Sequence, residues 1–208
     1  MADTWTADLW FDPSCPYTRV TARWLMEATQ VRPISVRWRV MSLAVLNEGR
    51  EDDPEGDPEG YLWIPARICA AVQVEHGHEA LGRFYDALWA SRESGGSYDP
   101  VAGFAEVLAH AGLPAELARV GTSDAYDGAL RASHAEGYGL VGGDIGSPVL
   151  AATAPDGRRA AALFGPVISQ VPRGEDAGRL WDGAVLVAGT PGFHTVKGPP
   201  QAEISGPT

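Results

Sequence analysis

The sequence predicts a mixed α/β fold whose strand-and-helix core is interrupted by a long helical insertion. Three observations predict it. Strand-like patterns occur only towards the two ends of the chain, as alternation in Trp5-Thr6-Ala7-Asp8-Leu9-Trp10 and 34–40 on one side and as short apolar runs at 149–152 and 160–164 on the other. Between Leu62 and Tyr138 the apolar spacing is helical almost throughout. A complete helix separates the first two strands, the kind of crossover that parallel neighbours need. At 208 residues, the chain is long enough for one sizeable domain or a small domain carrying a large insertion.

Each element follows from its local pattern. After the first strand, Val20, Trp24, Leu25 and Ala28 recur at helical spacing, which predicts a helix from Cys15 to about Gln30. Arg32-Pro33 breaks it, and Ile34-Ser35-Val36-Arg37-Trp38-Arg39-Val40 alternates as a half-buried second strand, parallel to the first. Met41-Ser42-Leu43-Ala44-Val45-Leu46-Asn47 then leaves the carboxyl edge of the sheet, where a ligand crevice is commonly bordered. Glu48 to Gly60 holds seven acidic residues against Arg50 alone, with Pro54 and Pro58. Such a run reads as a solvated loop in preference to a lid or docking surface.

Helices are expected over 62–75, 79–91, 100–111, 114–120 and 123–136. The breaks fall at Ser91 to Ser97, Gly112 and Gly121, and Thr122, Ser123 and Asp124 are candidate caps for the last helix. Gly137 to Gly146 reads as a glycine-rich turn region. The strands 149–152 and 160–164 flank Pro155-Asp156-Gly157-Arg158, turn residues that suit a hairpin, and Gly165-Pro166 ends the pair. A final helix over 175–187 places Leu180, Trp181, Ala184 and Val187 on one face, and the Pro- and Gly-rich tail from Thr190 is irregular. Strand, helix, strand, helical insertion, strand, strand, helix is the order of a thioredoxin-like fold. Residues 1–60 and 141–208 would form its core, and 61–140 the inserted helical domain.

Composition excludes several functions. A formal net charge of −11 argues against a nucleic-acid partner, because phosphate binding needs concentrated Lys and Arg. No apolar run approaches the length of a membrane span, and the start of the chain lacks the regions of a signal peptide. A cytoplasmic location is expected. Two cysteines, Cys15 and Cys69, are too few for a disulfide framework and form no metal-ligand cluster. Most of the seven tryptophans should be core, with one or two lining an apolar cavity. The oligomeric state is left open.

The chemistry centres on Phe11-Asp12-Pro13-Ser14-Cys15-Pro16-Tyr17-Thr18, where a strand hands over to a helix. The first turn of a helix offers unpaired N–H groups and the positive end of the macrodipole, both of which favour a thiolate. Pro16 suits the first helical position, which needs no N–H. In a Cys-x-x-Cys redox pair a second thiol would stand at position 18; here it is Thr18, so no local disulfide can close. The Thr18 hydroxyl is placed to cap or pack, or to donate to the Cys15 sulfur. Tyr17 is expected as a wall of the site, and Asp12 as a turn-shaping acid in preference to a proton relay. Cys69, in the apolar stretch Ile68-Cys69-Ala70-Ala71-Val72, reads as a buried structural residue in preference to a distant resolving thiol. His134-Ala135-Glu136 lacks the downstream cysteines of a zinc deaminase and reads as part of a surface helix. His76 and His78 have no third ligand nearby, and Gly142-Gly143-Asp144 lacks the lysine of a phosphate loop.

These residues carry a resemblance. The segments 11–17, 41–47, Gly146-Ser147-Pro148-Val149, Phe164-Gly165-Pro166 and Gly178-Arg179-Leu180-Trp181-Asp182-Gly183, in this order and spacing, resemble the DsbA-like family of thioredoxin-fold proteins. Within it, the chain is most similar to the branch that includes mycothiol-dependent reductases of the nitroreductase type. The resemblance implies a nucleophilic Cys15, supported by Pro16 and Thr18. It further implies a cis proline at Pro148 facing it, and a substrate or thiol pocket shaped by Asp12, Ser14, Tyr17, Ser147 and Pro148. It implies a small-molecule substrate and a low-molecular-weight, mycothiol-like cosubstrate, with no tightly bound cofactor and no metal. Thr18 departs from dithiol members, since a lone cysteine must rely on an external thiol. An oxidoreductase is therefore the first expectation. Thiol-assisted cis–trans isomerisation of a double bond, which one sulfur can perform, is the alternative, and a non-catalytic thiol-binding protein is the third.

Overall fold

A computed structural model describes residues 4–52, 54–95, 102–199 and 203–204. Its chain groups into two units, one of Met1–Trp10, Cys15–Arg37 and Tyr138–Thr208, the other of Phe11–Ser14 and Trp38–Gly137. Among the described residues no helix is long and apolar enough to cross a membrane.

The first unit holds most of a four-stranded sheet of order β2-β1-β3-β4, formed by β1 (Trp5–Phe11), β2 (Ile34–Val40), β3 (Val149–Thr153) and β4 (Arg159–Phe164). The Trp5 N–H donates to Pro33 C=O at the start of the first pair, and the Met41 N–H donates to Phe11 C=O at its end. Starts meet starts and ends meet ends, so β1 and β2 run parallel. Strand β3 pairs antiparallel with β1, Leu9 opposite Leu150, and antiparallel with β4, Leu150 opposite Leu163. Strands β1 and β3 are buried on both faces over most of their length, which puts Leu9, Val149 and Leu150 in the core. Helices α1 (Pro16–Thr29) and α6 (Glu175–Ala188) belong to the same unit, where the buried Trp24 donates from Nε1 to Ala177 C=O at 3.0 Å. Beside them, Arg32 bridges Glu175 at 2.7 Å and Asp182 at 2.8 Å.

The second unit is helical. The short α2 (Leu43–Leu46) winds one helical turn capped by Ser42, where the sequence suggested only chain leaving the sheet. Helix α3 (Trp63–Glu93) is broken at Gly77, whose φ of 80° no helix accepts, so two helices meet between the predicted ranges 62–75 and 79–91. Next come α4 (Ala102–His110), a 3₁₀ segment (Ala115–Thr122) where an α-helix over 114–120 was expected, and α5 (Asp127–Val141). The expected helix over 123–136 is therefore displaced towards the C-terminus. Thr122 ends the 3₁₀ segment, the Asp127 N–H bonds Asp124 C=O in a turn, and Gly137 and Gly139 are helical instead of opening a turn region. Gly137 is buried and Gly139 exposed, so burial offsets weak helix propensity at the first of them alone. Gly96, Ser97, Pro100, the acidic-loop residue Asp53 and part of the tail lie outside the described residues.

The core of this unit is aromatic. Phe11 packs on Tyr85 with ring centroids 4.1 Å apart, and Trp38 meets both rings. Gly82 admits Trp38 because it has no side chain: a Cβ there would stand 2.4 Å from Trp38 Nε1. Gly82→Ala would gain about 1 kcal/mol of helix propensity. That gain is outweighed by overpacking of about 2–3 kcal/mol, the upper part of the usual range, because the clash is with a buried indole. The substitution is thus expected to lower the unfolding free energy by about 1–2 kcal/mol in urea denaturation, and unchanged or raised stability would contradict the packing argument.

Candidate functional site

Cys15 is the N-cap residue of α1, with extended backbone (φ −77°, ψ 115°) and Pro16 following at the first helical position. Its side chain is half-buried, and its backbone C=O accepts the Arg19 N–H at 3.2 Å. No acidic residue occupies the first turn, and Arg19, there, is buried. The N-terminal end of the helix therefore presents positive charge to whatever the sulfur carries.

Ser147, in the same unit, meets this sulfur through its backbone and meets Thr18 through its hydroxyl. Cys15 Sγ lies 3.8 Å from Ser147 C=O, a long contact of the kind a weak thiol donor makes. The Ser147–Pro148 bond is cis, and both residues are buried. One turn on from Cys15, Thr18 is fully buried and its Oγ1 lies 2.8 Å from Ser147 Oγ. The Thr18 hydroxyl is thus engaged by Ser147. Pro16 is exposed and Tyr17 half-buried.

The residues just before Cys15 belong to the second unit. Asp12 has no exposed surface; its Oδ1 accepts the Ser14 N–H at 2.7 Å and its Oδ2 the Leu43 N–H at 2.7 Å. That is the geometry of turn shaping, and a carboxylate so enclosed does not line an open pocket. Burial pushes its pKa up to about 6, opposed by the Leu43 and Ser14 N–H groups; Glu55 adds to the rise and Arg92 reduces it. Arg92, near the end of α3 and stacked over Trp89, donates to Pro13 C=O at 2.8 Å and reaches Ser14 Oγ at 3.5 Å. No local pattern marks Arg92, because its partners stand 79 and 78 residues away.

The remaining sequence candidates separate. Cys69 is fully buried, and burial pushes its thiol well above the ordinary range, so it stays protonated and packs as a small apolar side chain. His134 is corrected: it is buried, and its Nδ1 accepts the Ser42 N–H at 3.3 Å instead of facing solvent. Burial lowers its pKa, consistent with that acceptor role. His78 Nδ1 lies 2.8 Å from Trp38 C=O. Among the described residues no group of three or more His, Cys, Asp or Glu could hold a metal. A cavity of about 260 Å³ in the first unit is lined by Trp5, Pro33, Trp181, Val185 and Leu186, with Arg32 and Asp182; none of the candidate site residues lines it.

A reduced cysteine capping the first helix of a β-α-β unit, followed by an antiparallel hairpin and a closing helix, defines a thioredoxin-like protein of the DsbA-like type. A putative protein disulfide isomerase from Nitrosomonas europaea has this fold, with a TM-score of 0.51 and 15% identity over 86% of this chain and 97% of its own. The cytosolic disulfide reductase DsbM from Pseudomonas aeruginosa, solved with GSH, superposes with a TM-score of 0.47 and 18% identity over 72% of this chain and 88% of its own. The family model of the Rv2466c-like proteins, described as mycothiol-dependent nitroreductase Rv2466c, matches residues 14–198. The chain belongs to that family of thiol-dependent oxidoreductases. It is also 29% identical over 200 residues to the uncharacterized protein Rv2286c of Mycobacterium tuberculosis, covering 93% of this chain and 82% of that one.

The contrast between the two thiols gives a direct test. Native protein is expected to react with a thiol reagent at Cys15 alone, and Cys69 should become reactive only in denaturant. Fast labelling of both in the native state, read by peptide mass, would contradict the burial of Cys69.

Proposed function

We propose that this chain is a single-cysteine oxidoreductase in which a low-molecular-weight thiol of the mycothiol type completes the work of Cys15. The observation that carries this reading is the residue at position 18. Where a second sulfur would resolve a mixed disulfide, Thr18 offers a hydroxyl bonded to Ser147. The other cysteine is fully buried and held as a thiol. Resolution must then come from solution. Membership of the Rv2466c-like family supports mycothiol as the source of that thiol.

In the first step the Cys15 thiolate attacks one sulfur of a small disulfide, RS–SR′. That S–S bond breaks, RS⁻ leaves and takes up a proton, and a Cys15–S–S–R′ mixed disulfide forms. A second thiol, R′SH, loses its proton, attacks the R′ sulfur, releases Cys15 as a thiolate and departs as R′S–SR′. The sum is RS–SR′ + R′SH giving RSH + R′S–SR′: one thiol is consumed, RS is released as a thiol, and Cys15 is regenerated. The N–H groups at the start of α1 stabilise the thiolate as nucleophile and as leaving group. Pro16 keeps the first helical position free of a competing donor. Tyr17, Ser147 and Pro148 are assigned to the surface against which the small partner lies.

The test is kinetic. Cys15→Ser is expected to abolish mycothiol-dependent reduction of a mixed disulfide, and turnover by the native chain should produce one mycothiol disulfide per substrate reduced. Thr18→Cys should lower the dependence on external thiol, because it restores a local partner. Full activity in Cys15→Ser would overturn the reading. A product of unchanged mass and redox state would point instead to isomerisation.

A further inference from the structure

Asp12, Pro13 and Ser14 are held at four points inside the second unit. The Asp12 carboxylate spans the Ser14 and Leu43 N–H groups, and the Arg92 guanidinium grips Pro13 C=O and Ser14 Oγ. The anchor at Leu43 is itself fixed. Val40 donates its N–H to Gln73 Oε1 at 2.8 Å, Ser133 Oγ donates to Val40 C=O at 2.6 Å, and the Ser42 N–H is taken by His134. One peptide bond separates Ser14 from Cys15, so whatever fixes Ser14 fixes the approach of the chain to the reacting sulfur.

We propose that Asp12 is a positioning residue for Cys15: its carboxylate, seated on the N–H groups of Ser14 and Leu43, holds the turn that delivers the cysteine, and protonation of that carboxylate releases the turn and slows the thiol. The inference rests on the reading of Cys15 as the reacting group. Both carboxylate oxygens accept from N–H groups, and protonation weakens these contacts, because a neutral acid, its hydroxyl oxygen above all, is a poorer acceptor than a carboxylate. Asp12 is the acid at this turn whose pKa of about 6 places the change near neutrality.

The charge also costs stability. Since the folded-state value lies above the ordinary 3.8, the stability tied to protonated Asp12 is full below about pH 4 and is lost as pH rises through about 6. An apolar or amide side chain would avoid that loss, so a packing role alone does not account for an acid here. The charged or titratable groups acting on Asp12 are Glu55 in the acidic loop, Arg92 and Cys69 on α3, and, through the Ser42–Leu43 backbone, His134 on α5.

Two measurements on the full chain test this. In NMR titrations of the native protein from pH 5 to 8, the Ser14 and Leu43 amide protons should shift with one shared midpoint near 6, a change that Asp12→Asn removes. In parallel, Cys15 alkylation by iodoacetamide, followed on its own peptide by mass spectrometry, should fall more steeply than thiol ionisation alone dictates below about pH 6. Asp12→Asn should slow alkylation at pH 7.5 by roughly tenfold and erase the break, the loss expected for a buried charge-assisted hydrogen bond. His134→Asn, which retains an acceptor for Ser42, should keep the break. Flat Ser14 and Leu43 shifts, or an Asp12→Asn profile superimposed on the native one, would overturn the inference and leave the functional reading standing. A native Cys15 inert to alkylation at every pH would overturn both.

Discussion

On the reading proposed above, the hydroxyl pair between Thr18 and Ser147 sets the limits of what Cys15 can do. It fills the position one helical turn from the sulfur, and it ties that position to the residue before Pro148. A sulfur there would make a self-contained redox pair, able to take up two electrons and wait. A hydroxyl cannot, so Cys15 is left with the reactivity of a helix N-cap thiol and no means of releasing a partner by itself. The burial of Cys69 closes the other route within the chain.

Two local devices prepare that one sulfur. The backbone of α1 supplies its first-turn N–H groups and dipole, with Pro16 at the position where a donor is dispensable. Before Cys15, the Asp12 carboxylate and the Arg92 guanidinium hold Pro13 and Ser14, anchored on a post-β2 backbone whose polar groups are met by side chains of α3 and α5. The first device is inherent in any helix start. The second depends on tertiary structure and on charge, which is why we infer a response to pH.

Much of the frame was legible in the residues. Alternation at Ile34–Val40, the proline-cysteine junction and the Pro155-Asp156-Gly157-Arg158 turn each encode a local conformation, and the strands and first helix lie where those patterns put them. Gly77 broke the long helix where a break was expected, since its positive φ is a local property. What escaped depends on distant partners. Ser42 and His134 are 92 residues apart, so nothing near His134 showed that it would be buried as an acceptor. The 3₁₀ winding of Ala115–Thr122 and the helical state of the buried Gly137 reflect packing that overrides propensity. In the site, Cys15, Pro16 and Thr18 could be read from spacing, whereas the engagement of Thr18 with Ser147 and of Arg92 with Pro13 could not.

The central claim is that one sulfur carries the chemistry and an outside thiol completes it. The most direct measurement is the intact mass of reduced protein after brief exposure to mycothiol disulfide, with the modified peptide identified. One mycothiol unit joined to Cys15 and released by added mycothiol is the result expected. Loss of two hydrogens through a Cys15–Cys69 disulfide, or an adduct found on Cys69, would contradict it.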